Sequence, residues 1–140
     1  MEALKARIKR HEGFSDEPYR CPAGYWTVGY GHFMGQGGCK ISQRVADALL
    51  DEDIDKATFG VASLGFDFLD QARTEVLIEM AFNLGLKGLM RFKKMMAALE
   101  AENYEAAADE MLDSKWAKQV TRRAVELSDV MRSGACKPNY

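Results

Sequence analysis

Glu12, Cys21 and Thr27 follow one another as Glu-x8-Cys-x5-Thr, and Thr27 runs without a gap into Val28-Gly29-Tyr30-Gly31-His32. A carboxyl, a thiol and a hydroxyl are groups that can move a proton or hold a water. A general acid needs a carboxyl that keeps its proton near neutral pH, and partial desolvation among aromatic side chains favours this. Glu12 precedes such a stretch, rich in aromatics and glycines, and is the candidate acid. Taken singly, each residue has a plainer reading. An acidic residue at a helix end is commonly a solvated surface group, a cysteine an inert small hydrophobe, and a threonine in β-rich sequence a strand residue favoured for its branching. Other chemistries fit less well. Cys21 with His32 has the residue types of a cysteine-protease pair, but the sequence shows neither a thiolate-stabilising site nor an orienting third group. His11, Cys21, His32 and Cys39 lack the short paired spacings of a zinc site. Gly29-x-Gly31 is not completed into a phosphate loop.

The elements that must position these residues follow from pattern and composition. With 140 residues, 47% hydrophobic and 29% charged, the chain reads as one globular domain rather than a fibre or a disordered segment. Its longest apolar run, Met95 to Leu99, is far too short to cross a bilayer. A net charge of −2 argues against a nucleic-acid binder. Met1 to Arg10 lacks the apolar core of a secretory signal, so no export signal is expected. Charge is uneven: Asp47, Asp51, Glu52, Asp53 and Asp55 form an acidic stretch, while Lys115, Lys118, Arg122, Arg123, Arg132 and Lys137 make the last third basic. Both read first as solvated helix faces. Cys21, Cys39 and Cys136 are odd in number and fit reduced thiols better than a disulfide framework.

A short helix over Lys5 to His11 stops at Gly13 and delivers Glu12 at its C-terminal end. Phe14 to Phe33 reads as a β-hairpin region connected by Cys21-Pro22-Ala23-Gly24, and Gly35 to Gly38 as a loop. Ser42 caps a helix from Gln43 to about Val61, long enough to link two lobes. Asp70 caps an apolar helix containing Val76, Leu77, Ile78, Met80, Ala81 and Phe82, closed by Gly85 and fit for the centre of a bundle. Further helices are expected at about Leu89 to Ala101, Tyr104 to Leu112 and Arg122 to Arg132. Asn103, Ser114 and Thr121 are their caps and Gly134 a stop. Phe82, Trp116, Met80, Met90, Met95, Met96 and Met111 read as core. The fold class is α+β, with a β-containing lobe at about 13–41, a linking helix at about 42–62 and a helical lobe at about 63–140.

His11-Glu12-Gly13 together with Gly24-Tyr25-Trp26-Thr27-Val28-Gly29-Tyr30-Gly31-His32 resembles the signature of the bacteriophage-type lysozymes, the endolysins of glycoside hydrolase family 24. That family has Glu, then Asp or Cys, then Thr at this spacing. Ala81-Phe82-Asn83-Leu84-Gly85 looks like its central helix end, and Ser114-Lys115-Trp116 and Arg122-Arg123-Ala124 look like its C-terminal helices. The loop from Met34 to Ile41 is shorter than in longer members. The resemblance implies a lysozyme-like fold whose N-terminal helix packs with the helical lobe, and a cleft between hairpin and helical lobe.

It also implies hydrolysis of the β-1,4 bond between N-acetylmuramic acid and N-acetylglucosamine in peptidoglycan, with no cofactor and no metal. Glu12 would be the acid. Cys21 departs from the Asp form of the motif, which shifts water positioning towards Thr27, because a thiol of ordinary pKa about 8.5 is mostly neutral at pH 7. Gly31 would let a sugar ring approach the backbone. His32 is expected to form a lobe-joining ion pair with Asp53, and with Phe82, Asn83 and Arg123 it completes the substrate-binding candidates. The implied partner is bacterial peptidoglycan, with no nucleic acid and no membrane insertion. A monomer held in the host cytoplasm and released through a holin-type pore is expected. A lytic transglycosylase and a non-catalytic wall-binding protein remain as alternatives.

Overall fold

The computed structural model describes residues 1–20, 26–35 and 40–135. Two compact units divide the chain, Met1–Lys56 and Ala57–Tyr140.

The first unit opens with α1 (Glu2–Glu12), whose Leu4, Arg7 and Ile8 make a buried stripe at helical spacing. Lys9, Arg10 and His11 occupy its last turn, where cations complement the partial negative charge of the carbonyl end. Gly13, at φ 70, ends the helix and donates its N–H to the Lys9 carbonyl at 2.9 Å. A three-stranded antiparallel sheet follows, β1 (Ser15–Arg20), β2 (Trp26–Gly29) and β3 (His32–Gly35), in that spatial order. The hairpin expected from sequence is β1 with β2, and β3 adds a strand where the sequence suggested only the hairpin's end and a loop. The β1–β2 ladder is irregular between Ser15 and Tyr19. Pro18 lies in that interval, has no N–H for the ladder, and is tolerated on an edge strand.

α2 (Gln43–Ala62) begins as the sequence predicts, with the Ser42 hydroxyl accepting the Val45 N–H at 3.3 Å. Ala46, Leu50, Ile54 and Val61 form its buried stripe. The boundary between the two units falls within this helix.

In the second unit, α3 (Gln71–Met90) is capped by the Asp70 carboxylate, which accepts the Arg73 N–H. Its residues Glu75 to Ala81 are all buried, which makes α3 a core helix. Gly85, at φ 76, breaks the helix inside its span rather than ending it. Consequently the helix expected over Leu89 to Ala101 is divided: Leu89 and Met90 complete α3, and α4 (Lys93–Glu100) starts anew after Phe92. Met90 is half exposed rather than core, whereas Met80, Met95 and Met111 are fully buried. The Asn103 and Ser114 side chains cap α5 (Tyr104–Leu112) and α6 (Lys115–Gln119). Thr121 does not cap α7 (Thr121–Ser133); it is the first helical residue, and Val120 holds the cap position. α5 packs against α4, α6 and α7, and α3 against α7.

Arg73 closes the far end of α7. Its guanidinium donates to the Met131 and Arg132 carbonyls at 2.7 and 3.0 Å and stacks 3.7 Å from the Tyr104 ring. These contacts satisfy carbonyls that the helix end leaves without intrahelical partners. Among the described residues, no helix is long and apolar enough to cross a membrane.

Candidate active site

Glu12 is half-buried at the last position of α1. Its carboxyl lies directly against the backbone of Gly31 in the β2–β3 turn. A Cβ built on Gly31 would stand 2.7 Å from Glu12 Oε2 and 2.9 Å from Cδ. Gly31 also has φ 79, a backbone conformation that L side chains rarely adopt, so position 31 must be glycine on both counts. Gly29, at φ 66, is held equally close to α2: a Cβ there would come within 2.8 Å of the Ala46 side chain. These two glycines bring the turn down onto α1 at one end and α2 at the other.

Thr27 sits on the central strand, opposite Tyr19 on β1 and Phe33 on β3. It is buried, and its hydroxyl donates to the Tyr19 carbonyl at 3.1 Å. With its proton committed there, the hydroxyl oxygen is left as an acceptor. Cys21, the middle member of the sequence motif, lies outside the described residues, as do Cys39 and Cys136.

His32 begins β3, and its Nδ1 lies 2.7 Å from Asp53 Oδ2 on α2. The pair expected from sequence is therefore formed. It lies within the first unit, tying sheet to helix, rather than joining two lobes. Both side chains are largely shielded from solvent. Truncating Asp53 to Ala leaves a ring nitrogen without its partner, at a cost of about 1–3 kcal/mol. A fall in melting temperature of about 3–10 °C is expected, and an unchanged value by circular dichroism would show that the pair contributes nothing.

A further cluster in this unit escaped the reading of the motif. Lys9 Nζ lies 2.5 Å from Asp47 and 5.1 Å above the Tyr30 ring, and Lys5 lies 2.7 Å from Asp51. The Lys9 hydrogen bond holds Asp47 below the usual carboxylate range, and the Asp51 hydrogen bond raises Lys5. An acid with a lowered pKa stabilises above its ordinary value, and a base with a raised pKa stabilises below its own. The clamp between α1 and α2 is thus complete at neutral pH and loosens on acidification as Asp47 takes a proton. The sequence signal was present: Lys5 and Lys9 are four apart on α1, as are Asp47 and Asp51 on α2.

Phe82, Asn83 and Arg123 belong to the second unit. Phe82 is half-buried rather than core. Asn83 accepts the Trp116 indole N–H at 2.6 Å, and the Trp116 ring meets Phe92 edge to face. Arg123 is only 7% exposed, and its Nε donates to the fully buried Glu79 at 2.9 Å, which engages part of the guanidinium with a core carboxylate. Breaking such a pair typically costs about 3–5 kcal/mol. Beside Trp116 opens a groove of about 640 Å³, lined among others by Lys93, Lys94, Lys115, Glu110 and Asp113.

A family model described as phage lysozyme matches residues 9–129. The chain is 33% identical to an endolysin of Acyrthosiphon pisum secondary endosymbiont phage 1 over 112 residues, 79% of this chain and 75% of that protein. It is 24% identical to a probable T4-type lysozyme 1 of Dictyostelium discoideum over 163 aligned positions, 96% of each chain. An endolysin of Bacillus phage B103 is 33% identical over 79% of this chain and 43% of its own length.

Proposed function

Since the chain belongs to the phage lysozyme family, we propose that Glu12 is the general acid of its hydrolysis of peptidoglycan and that Thr27 and Cys21 orient the attacking water. The enzyme is a glycoside hydrolase of the lysozyme type, an endolysin acting on bacterial peptidoglycan. The bond we assign is the β-1,4 link between N-acetylmuramic acid and N-acetylglucosamine.

The observation that supports the acid assignment best is the bare backbone of Gly31 against the Glu12 carboxyl. With no side chain at 31, a sugar ring has room to bring its glycosidic oxygen to that carboxyl. Glu12 gives its proton to the leaving oxygen, and the anomeric carbon develops oxocarbenium character as the bond breaks. Thr27, its own proton engaged by Tyr19, accepts a hydrogen bond from a water and leaves that water's lone pair free to attack. The water oxygen joins the anomeric carbon, and the proton it sheds restores the acid form of Glu12 through solvent. Phe82, Asn83 and Arg123 are the proposed sugar contacts of the second unit. The groove beside Trp116, with both signs of charge, suits a wall peptide carrying carboxylates and amines. Release from the cytoplasm through a holin-type pore, as a monomer, completes the reading.

Digests of purified peptidoglycan analysed by mass spectrometry test it. Hydrolysis yields fragments that have gained one water per cleaved bond, with a reducing muramic acid end. Products lacking that water, with a 1,6-anhydro end, would identify a lytic transglycosylase. An absence of cleavage with retained wall binding would identify a binding protein.

A further inference from the structure

We infer that Tyr30 is a positioning residue for the reaction, a jig that holds both flanks of Glu12 at once. The inference rests on Glu12 being the general acid. Glu12 is the last residue of α1, and helix ends fray unless something outside the helix holds them. Beyond the Gly13 cap and the Lys9–Asp47 ion pair, one aromatic ring touches this end on both sides of Glu12. Three residues before Glu12, the Lys9 ammonium sits 5.1 Å above the Tyr30 ring centroid, within the range of a cation–π contact. Two residues after it, the Phe14 ring meets Tyr30 at 5.6 Å between centroids with a 50° tilt. The next residue, Gly31, touches the Glu12 carboxyl itself.

The ring is fixed in turn. Tyr30 is 6% exposed, and its hydroxyl accepts from Gln43 Nε2 on the first turn of α2 at 3.0 Å. Lys9 is fixed by Asp47, one turn further along the same helix. The carboxyl, the turn it lies against and the two residues that aim it are thereby referred to one rigid element, α2. Space-filling alone would ask only for an apolar side chain of similar volume at position 30. The ring face towards an ammonium, its second contact with Phe14 and the hydroxyl on Gln43 make the orientation of the ring matter as well. Because a misplacement of about 1 Å can cost on the order of 10²-fold in rate, loosening this jig should be felt in the chemical step more than in binding.

The test compares Tyr30→Phe, Tyr30→Leu, Lys9→Ala and Glu12→Gln on soluble uncross-linked glycan strands, with kcat and KM measured well below each melting temperature. Tyr30→Leu keeps an apolar side chain but loses the ring, and kcat is expected to fall about 10- to 100-fold with KM within about twofold. Tyr30→Phe restores the ring and is expected to recover most of that loss. Lys9→Ala lies outside the core, so it reads the same effect should the Leu variant fail to fold, with kcat down about threefold to tenfold at unchanged KM. Parent-like kcat in folded Tyr30→Leu, or in Lys9→Ala if Leu does not fold, overturns the inference. So does a Phe variant as slow as Leu. Activity in Glu12→Gln would instead overturn the acid assignment, while an inactive Glu12→Gln beside parent-like Tyr30 and Lys9 variants removes the positioning role alone.

Discussion

Glu12→Gln is expected to abolish wall lysis and leave the fold intact. Gln is nearly isosteric with Glu and can be accommodated against the Gly31 backbone, where only the terminal atoms of the side chain change. The α1 terminus does not depend on the carboxylate, because Gly13 closes the helix through its own N–H to Lys9. In the proposed role, what is lost is the proton for the leaving oxygen, and a positioned acid contributes about 10²–10⁴-fold to rate. Clearing of permeabilised cells, read as turbidity, should fall by at least that factor while the melting temperature stays within a degree or two of the parent. More than a few per cent of the lysis rate in a well-folded variant would remove Glu12 from the role of acid.

The second large effect is expected at Cys21, where the chain carries a thiol in place of the carboxylate of the motif's Asp form. If the position helps to orient water, a carboxylate should serve there and a methyl group should not. Cys21→Asp is therefore expected to keep substantial activity, whereas Cys21→Ala should lose about 10²–10⁴-fold. Cys21→Ser refines the result, since it retains a hydrogen-bonding group without easy ionisation. Activity near the parent for Ser and poor for Ala would mean that orientation of the water matters more than charge. A thiol that merely fills space predicts the reverse order, with Ala mild and Asp severe, because an unpaired buried charge is costly. Lysis rates and melting temperatures of the Ala and Asp variants together separate the two. An active Ala variant beside an unfolded Asp variant would reduce the catalytic set to Glu12 and Thr27.

Most of what depends on neighbours within one or two turns of chain was legible in the residues. Gly13 stops α1 directly after Glu12, Ser42, Asp70, Asn103 and Ser114 cap their helices, and Gly134 ends α7 in the left-handed conformation. The apolar stretch of α3 from Val76 to Phe82, with Glu79 its one polar interruption, marked it as a core helix for the same reason, since a helix with so little polar surface must be covered on nearly every side. Local reading failed where a local signal competed with packing. Leu89 to Ala101 has helical composition throughout, yet the chain turns between Met90 and Lys93. Thr121 has the chemistry of a cap but enters α7 one residue late.

Tertiary structure alone decided the contacts between residues distant in sequence. Nothing near Arg123 distinguishes it from the exposed Arg122; only the approach of α3 to α7 sets it beside Glu79, 44 positions away, and makes the buried ion pair. The motif of Glu12, Thr27, Gly31 and His32 singled out the candidate site through residue types, spacing and family resemblance. That Gly31 lies against the carboxyl, and that Tyr30 gathers Lys9, Phe14 and Gln43, followed only once sheet and helices had closed on one another. The physical reason is range. Caps and helical periods act over three or four residues and are written in the local sequence, whereas an ion pair or a ring contact across elements is fixed by the packing of whole faces, to which many residues contribute at once.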